Sequence, residues 1–174
     1  EIALQNAPKY QFTEKQEIFV IPAYNEWEVI AETIQTVLEA GYKNIIVVND
    51  GSKDHSRVIL EWFWDTILAL HHYKNRGQGA ALETWFEYIR RYGGKEGYVV
   101  TFDSDGQHSI QDVAKFQKYA QEDSQIDIFL GSRFLKESTT NISFKKKILL
   151  KMGILFTFFL SNIKLSDTHN GFCY

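Results

Sequence analysis

The chain has 174 residues, of which 44% are hydrophobic, 15% aromatic and 24% charged, and its formal net charge is −3. This length and apolar content predict one well-cored domain and exclude a disordered chain, and the slightly acidic balance argues against a nucleic-acid partner. A single cysteine, Cys173, excludes an internal disulfide and favours a reducing compartment such as the cytoplasm. Residues 1–15 show no signal-peptide pattern, and the chain shows no zinc-ligand spacing.

Short apolar runs rich in β-branched residues alternate with segments of helical period, which is typical of α/β layers around a mostly parallel sheet. The predicted strands are 17–21, 44–49, 67–72, 98–102 and 126–130. The predicted helices are 26–40, 54–64, 78–92 and 109–121. Pro22 is expected to end the first strand, and the second strand, unbroken and apolar in its middle, is expected to be buried on both faces.

Local signals mark the ends and faces of these helices. Asn25 is predicted to cap the first helix, with Gly41 at its left-handed C-terminal position. Ser109 and Asp112 form a capping-box pattern at the start of the fourth helix. The core face of the third helix is predicted to consist of Leu82, Trp85, Phe86 and Ile89.

Two carboxylates, Asp103 and Asp105, directly follow the apolar run 98–102. Residues two apart on an extended chain point the same way, so both acids can face one small volume, where their repulsion at ~4 Å is roughly 1–4 kcal/mol. A divalent cation removes that repulsion, and Mg²⁺ and Mn²⁺ favour oxygen ligands that include substrate phosphates. The pair therefore indicates a metal-held diphosphate, with a solvated acidic turn as the alternative. Gln107 lies within reach of the same ion, whereas His108 is interpreted as a structural residue.

Polar residues collect in the loops at the carboxyl ends of the predicted strands, where ligands bind in open α/β sheets. Asp50 ends an apolar strand, and its carboxylate can accept hydrogen bonds from a base or ribose, although 50–54 is also a favourable turn sequence. The segment 75–80 opens a helix with two glycines and an alanine, which would let a phosphate approach the backbone. Its alternative is a loop-to-helix junction that is closely packed through small residues.

A lysine cluster at 145–147 precedes the strongly apolar stretch 148–160. As a helix this stretch would span ~20 Å, which is short of a ~30 Å bilayer core, so it is not expected to cross a membrane. Two alternatives stay open. The helix packs in the core, or it lies in the membrane interface with its lysines toward anionic headgroups.

Six segments, in this order and spacing, resemble glycosyltransferase family 2 of the GT-A fold, and most of all its polyprenol-phosphate branch, the enzymes like dolichol-phosphate mannose or glucose synthase. They are IPAYNE at 21–26, VNDGS at 48–52, NRGQGAA at 75–81, DSDGQH at 103–108, GSR at 131–133 and DTHNGF at 167–172. The resemblance covers about 18–172. It implies a Rossmann-like three-layer α/β/α fold with a mostly parallel central sheet, in one catalytic domain over 1–174 that is expected to continue beyond Tyr174.

The resemblance also implies roles for individual residues. A UDP- or GDP-sugar donor would be held by Pro22, Ala23, Tyr24, Asn25, Glu26, Asp50, Gly51, Asn75, Gly77, Gly79 and Ser104. The donor's Mg²⁺ or Mn²⁺ would be held by Asp103, Asp105 and Gln107. Arg133 and Asp167 would approach the acceptor and the transferred sugar, and act in catalysis with the two metal-binding acids. Gln78 stands where many relatives carry Lys, which would remove a positive charge from the donor phosphates.

The implied activity is metal-dependent sugar transfer to a polyprenyl phosphate, at the cytoplasmic face of a membrane that the protein contacts peripherally through 145–160. A phosphate acceptor is already ionised near neutral pH, whereas a saccharide hydroxyl needs a base, for which Asp167 or His169 are late candidates. The alternatives are a family 2 transferase that acts on such a hydroxyl, a haloacid-dehalogenase-like phosphatase with an aspartyl nucleophile in 103–106, and a catalytically silent nucleotide-sugar-binding module.

Overall fold

The computed structural model describes residues 10–12, 17–93, 97–103, 109–123, 125–132, 144–167 and 173. Its sheet has four strands, which are β1 (Ile18–Ala23), β2 (Asn44–Asn49), β3 (Leu68–His71) and β4 (Val99–Thr101). The strand order is β3-β2-β1-β4, and each neighbouring pair is parallel. The mostly parallel sheet predicted from the sequence is therefore confirmed.

Five helices are described, and the first four cover both faces of this sheet. They are α1 (Ile30–Glu39), α2 (Ser56–Glu61), α3 (Gln78–Tyr92), α4 (Ile110–Glu122) and α5 (Phe144–Ser161). Successive side chains of a strand point to opposite faces. Accordingly, Phe19 and Ile21 of β1 share one apolar cluster with α1, α2 and α4, whereas Val20 shares a second cluster with Tyr88 of α3. All six residues of β2 are buried, as expected for a strand covered on both sides, and the three-layer prediction is confirmed.

β1 continues through Pro22 to Ala23, so the prediction that Pro22 ends the strand is wrong. The backbone groups of Val20 face β4, since its carbonyl accepts the N–H of Phe102. Pro22 has the same orientation, because residues two apart in a strand present their backbone groups to the same side. β4 has ended at Thr101 by that point, so the missing N–H of proline removes no hydrogen bond from the sheet.

Three helix predictions need correction. α1 begins at Ile30 after a turn, with Val29 at its N-cap, so Asn25 does not cap it. α2 is shorter than predicted, since a turn over 62–66 follows Glu61. α3 has the predicted bounds, and the predicted core residues Trp85 and Ile89 pack, partly buried, against the second apolar cluster. The buried residues of the helix are instead Ala81, Thr84 and Tyr88, and Phe86 is 61% exposed. The sheet-facing row of α3 thus runs through the small residue Ala81, which lets the helix approach β1 and β2 closely.

The predicted caps of α1 and α4 are partly confirmed. Gly41 has a φ of 93°, the left-handed conformation predicted for it, and its N–H donates to Leu38 O. Ser109 caps α4 by accepting the N–H of Gln111, while Asp112 pairs with a lysine one turn on. The capping box is therefore formed only from its Ser109 side.

The strand predicted over 126–130 is wrong. Leu130 forms only an isolated antiparallel bridge with Cys173, and Ile128 and Leu130 are both exposed. Phe129 packs against the core cluster and Phe116, but one partly buried side chain between exposed neighbours is not the continuous apolar face that holds a strand in a sheet.

α5 confirms the helix expected around 145–160 and bears on its two alternatives. Leu150 is buried, but five large apolar side chains of the helix are 56–76% exposed, namely Met152, Leu155, Phe156, Phe159 and Leu160. The core alternative therefore holds at Leu150 and fails over most of the helix. In the described part of the chain, no helix combines the length and apolar character needed to cross a bilayer.

Candidate functional site

A cavity of about 330 Å³ lies at the carboxyl edge of the sheet. It is lined by Pro22, Ala23, Tyr24, Glu26, Asp50, Asn75, Gly77, Gln78, Ala81 and Asp103. These residues come from the end of β1 and from the segments that follow β1, β2, β3 and β4, as the strand-end argument predicted. Asn25, Gly51 and Gly79 lie next to lining residues in the same segments without lining the cavity themselves.

Asn25 and Ser52 join the loops that follow β1 and β2. The N–H of Asn25 donates to Ser52 Oγ (2.9 Å), and Asn25 Oδ1 accepts the N–H of Lys53 (2.8 Å). Asn49, the last residue of β2, accepts the N–H of Ser52 through Oδ1 (2.9 Å). Asn25 has a φ of 55°, a conformation that asparagine tolerates better than most residues. Its structural role is therefore to hold one loop of the cavity against the next.

A second pair of hydrogen bonds extends this contact. The N–H of Glu26 donates to Ser56 Oγ (3.1 Å), and the N–H of Trp27 donates to Asp54 Oδ2 (3.2 Å). Burial opposes ionisation of Asp54, but hydrogen bonds from Ser56 and the Trp27 N–H outweigh it, so the pKa of this carboxyl is lowered. The acid therefore stays a charged acceptor that fixes the entry to α1.

Gly51 permits the close approach of the loop that follows β3. Its φ is +69°, and an added Cβ would lie 2.3 Å from the carbonyl carbon of Lys74. No side chain fits that space, because real Cβ atoms do not approach backbone atoms so closely. The loop that carries Asn75 into the cavity is thus packed directly on the backbone after β2.

Asp50 is 3% exposed, and its carboxylate is occupied by protein donors. Oδ1 accepts the N–H of Arg76 (2.9 Å) and lies 2.6 Å from His72 Nδ1, and Oδ2 accepts the N–H of Gly77 (2.7 Å). Burial opposes ionisation, yet these hydrogen bonds outweigh it, and the pKa of Asp50 is lowered. Asp50 lines the cavity as predicted, and in addition it holds the 75–77 loop.

The N-terminus of α3 opens at the cavity. Gly77 precedes the helix with a φ of 88°, and Gln78 and Ala81 of the first turn line the cavity. A helix of this length presents unpaired N–H groups and a partial positive charge at its start, which suits a phosphate. An added Cβ at Gly79 would meet no atom within 4 Å, so protein packing does not require glycine there.

Asp103 brings a carboxylate to the cavity from the end of β4. Four further predicted site residues lie outside the described residues: Asp105, Gln107 and Arg133, predicted to hold the metal or to act in catalysis, and Ser104, predicted to hold the donor. His169 also lies outside them. Asp167 is described and buried, but it is not part of the cavity lining. Over the described ranges, no three acidic, histidine or cysteine side chains are grouped for a metal. Asp103 is a described carboxylate of the cavity lining whose oxygens suit Mg²⁺ or Mn²⁺, and both oxygens of Asp50 accept hydrogen bonds from the protein.

His72 and Thr84 lie behind Asp50 and were not predicted from the sequence. His72 Nδ1 contacts Asp50, and His72 Nε2 is 2.8 Å from Thr84 Oγ1. The sequence did contain one indication that His72 and Asp50 are close together, namely their positions at the ends of two predicted strands. His72 directly follows β3 and Asp50 directly follows β2, and neighbouring parallel strands end at the same edge of a sheet.

Comparisons with known proteins agree with this architecture. The family model described as glycosyl transferase family 2 matches residues 18–174. The UDP-N-acetylglucosamine–dolichyl-phosphate N-acetylglucosaminyltransferase of Methanococcus voltae is 31% identical over 169 residues, which cover 87% of this chain and 66% of that protein. The dolichyl-phosphate beta-glucosyltransferase ALG5D of Trichomonas vaginalis is 30% identical over 190 residues, covering 97% of this chain and 56% of that protein. The chain thus spans less than two thirds of the length of either relative.

Glucosyl-3-phosphoglycerate synthase of Mycobacterium tuberculosis, solved with Mn²⁺, UDP and phosphoglyceric acid, superposes with a TM-score of 0.60 at 18% identity. The match covers 99% of this chain and 57% of that one. This likeness concerns the fold and confirms the GT-A prediction. Since the family model spans the whole sheet, the cavity and the acidic pair, this chain belongs to glycosyl transferase family 2.

Proposed function

We propose that this chain is the catalytic domain of a metal-dependent transferase that moves a sugar from a nucleotide diphosphate-sugar to a polyprenyl phosphate. The observation that carries the proposal is the cavity at the carboxyl edge of the sheet, which joins Asp103 and the N-terminus of α3 in a family 2 chain. The relatives named for dolichyl phosphate support the acceptor class. The solved structure that contains UDP and Mn²⁺ supports the donor and the metal.

The donor is held by groups that differ in chemistry along the cavity. The nucleoside lies against Pro22, Ala23 and Tyr24, whose ring is partly exposed at the cavity. The diphosphate lies toward the N-terminus of α3, where backbone N–H groups and the helix dipole favour negative charge. Gln78 brings no charge to this end of the cavity. The helix and the metal therefore balance the charge of the phosphates.

The transfer is a direct displacement at the anomeric carbon. A bound Mg²⁺ or Mn²⁺, held by Asp103 together with Asp105 and Gln107, would stabilise the charge that develops on the departing nucleoside diphosphate. An oxygen of the acceptor phosphate forms the new bond to the sugar as the bond to the diphosphate breaks. That oxygen needs no strong base, because the second phosphate pKa is about 6. Arg133 and Asp167 are proposed to approach the acceptor and the transferred sugar, with Asp167 outside the lining of the cavity.

A thermal-shift screen of UDP- and GDP-sugars, each with and without Mn²⁺, tests donor and metal together. We expect the melting temperature to rise only when the correct donor and the metal are both present, because a ligand stabilises the state that binds it. Asp105→Asn should remove this rise and abolish transfer while keeping the wild-type melting temperature without ligand. Asp112→Asn, at an acid of α4 whose side chain is 43% exposed, is the matched control and should respond like wild type. Full transfer by Asp105→Asn in the presence of EDTA would overturn the metal assignment.

The acceptor is tested by supplying polyprenyl phosphate and free saccharides in parallel with a labelled donor. A saccharide hydroxyl requires a general base, and Asp167, the described candidate, is buried and is not part of the cavity lining. We therefore expect label in the lipid phosphate product. Label in the saccharide alone would assign the chain to the hydroxyl-acceptor alternative, and donor binding without turnover on either acceptor would indicate a silent binding module.

The proposed site of action is the cytoplasmic face of a membrane, which the protein contacts through α5. The exposed apolar side chains of this helix follow the lysine cluster at its start, a combination suited to an interface with anionic headgroups. Binding to vesicles should therefore increase with the fraction of anionic lipid and decrease with salt. Equal binding to neutral and anionic vesicles would contradict the contribution of the lysines.

A further inference from the structure

His72 and Thr84 form a buried chain of hydrogen bonds behind the cavity. The backbone N–H of His72 donates to Asn49 O (2.9 Å), which fixes the residue at the end of β3. Its ring spans from Asp50 Oδ1 (2.6 Å) to Thr84 Oγ1 (2.8 Å), with both side chains of the His72–Asp50 pair almost fully buried. None of these groups has a step in the proposed transfer except through the loop that Asp50 holds.

The direction of the first hydrogen bond follows from the other partners of Asp50. Both carboxylate oxygens accept backbone N–H groups, those of Arg76 and Gly77, so the acid acts as an acceptor. His72 Nδ1 must then carry the proton that points at Oδ1. On the other side of the ring, His72 Nε2 contacts the Thr84 hydroxyl, which can donate or accept. The same hydroxyl lies 2.9 Å from Ala80 O.

We propose that His72 is a positioning residue of the donor site, which fixes the Asp50 carboxylate through Nδ1–H and thereby the peptide N–H groups of Arg76 and Gly77. Those two N–H groups hold the loop that lines the cavity with Asn75 and Gly77 and leads into α3. Thr84 holds the ring from behind, so α3 sets the position of the loop that precedes it. This inference rests on the proposed function, since it assigns the cavity to the nucleotide of the donor.

Two substitutions separate the hydrogen bond from the mere filling of space. In His72→Asn the amide nitrogen takes the place of Nδ1 and can still donate to Asp50. In His72→Gln the longer side chain places its amide nearer to Thr84. Thr84→Val removes the hydroxyl behind the ring. Thr33→Val is its matched control, because the Thr33 hydroxyl likewise lies within hydrogen-bond distance of the carbonyl four residues earlier, is 6% exposed against 7% for Thr84, and lies in α1 on the opposite face of the sheet.

The first measurement needs no ligand. In ¹⁵N spectra of the wild-type imidazole we expect Nδ1 of His72 to be protonated. We expect the amides of Arg76 and Gly77 to exchange with solvent about tenfold faster or more in His72→Gln, faster than in wild type in Thr84→Val, and at close to the wild-type rate in His72→Asn and Thr33→Val. An unprotonated Nδ1, or equal exchange in the Asn and Gln variants, would overturn the inference.

The second measurement is the affinity for UDP and for GDP, each with Mn²⁺. For the nucleotide that binds wild type, we expect His72→Gln to weaken affinity about tenfold or more, and His72→Asn and Thr33→Val to change it little. Wild-type affinity in His72→Gln would refute the positioning role while leaving the proposed function intact. If wild type binds neither nucleotide, the proposed function fails, and the exchange measurement still decides whether His72 positions the loop.

Discussion

Replacing Asp50 by asparagine tests the hydrogen-bond arrangement on which the cavity depends. The best placement of the amide keeps its oxygen toward Arg76 N–H and His72 Nδ1, and so turns its NH₂ group toward the Gly77 N–H. Leaving that buried donor unsatisfied costs about 1–3 kcal/mol, and the two remaining bonds lose the strength that a charged acceptor gives them. We expect the free energy of unfolding to fall by about 2–4 kcal/mol, and the melting temperature by about 5–15 °C.

Urea unfolding at pH 7 measures this loss, with Asp112→Asn as the control. Asp112 is an acid of α4 with 43% of its side chain exposed, and it pairs with Lys115. An exposed pair of this kind contributes at most about 1 kcal/mol. A change below about 0.5 kcal/mol in Asp50→Asn would fall under the cost of even one orphaned donor and would refute the hydrogen-bond argument.

Unfolding measured at acidic pH is a second test of the Asp50→Asn variant. The pKa of Asp50 is lower in the folded chain than its unfolded value of about 3.9, so its stabilisation is complete above about pH 4 and is lost as the pH falls through the folded pKa. Asparagine does not titrate in this range. The difference in unfolding free energy between wild type and Asp50→Asn should therefore shrink in acid. A constant difference from neutral pH to below the folded pKa would show that the carboxylate charge is not its source.

Further predictions concern the glycines, a cap and α5. Gly51→Ala should lower the unfolding free energy by more than about 1 kcal/mol and weaken nucleotide binding, because the added Cβ would overlap Lys74. Urea unfolding measures the loss of stability, and titration calorimetry measures the loss of affinity. Gly79→Ala should be neutral or slightly stabilising without ligand, since the space is open and alanine favours helix by up to about 1 kcal/mol; a lower affinity for nucleotide with Mn²⁺ would then show that a phosphate approaches this backbone. Ser109→Ala should cost about 1 kcal/mol in urea unfolding by removing the cap of α4, and an unchanged value would contradict the cap. Phe159→Ser should weaken vesicle binding at unchanged stability, because this side chain is exposed in α5; a large loss of stability would instead favour packing inside the protein.

Elements with strong local signals were predicted with their observed bounds. β2 is a run of apolar residues between polar ends, and α3 combines a helical period with glycines at both ends. The strand expected over 126–130 has a similar local pattern, but a strand needs neighbours and a buried face, and the sequence alone does not show whether they exist.

The predicted start of α1 was wrong for a related reason. Asn25 has the pattern of an N-cap, with Glu28 three residues later, yet its side chain accepts the N–H of Lys53 from the next loop. The Asn25 side chain could either cap the helix or bind the loop that follows β2, and in the structure it binds that loop. The helix then begins at Ile30, where the chain leaves the two joined loops.

Asp50 and Asp103 show why the roles of site residues are harder to predict than their positions. Each acid directly follows an apolar strand, and both were correctly placed at one edge of the sheet. Their surroundings differ because the strand order is β3-β2-β1-β4. Asp50 lies next to the end of β3, where His72 and the 75–77 loop supply donors, while Asp103 lies across β1, on the other side of the cavity. Strand order, which local sequence signals do not show, thus makes one acid a support of the loop and places the other where we propose that it holds the metal.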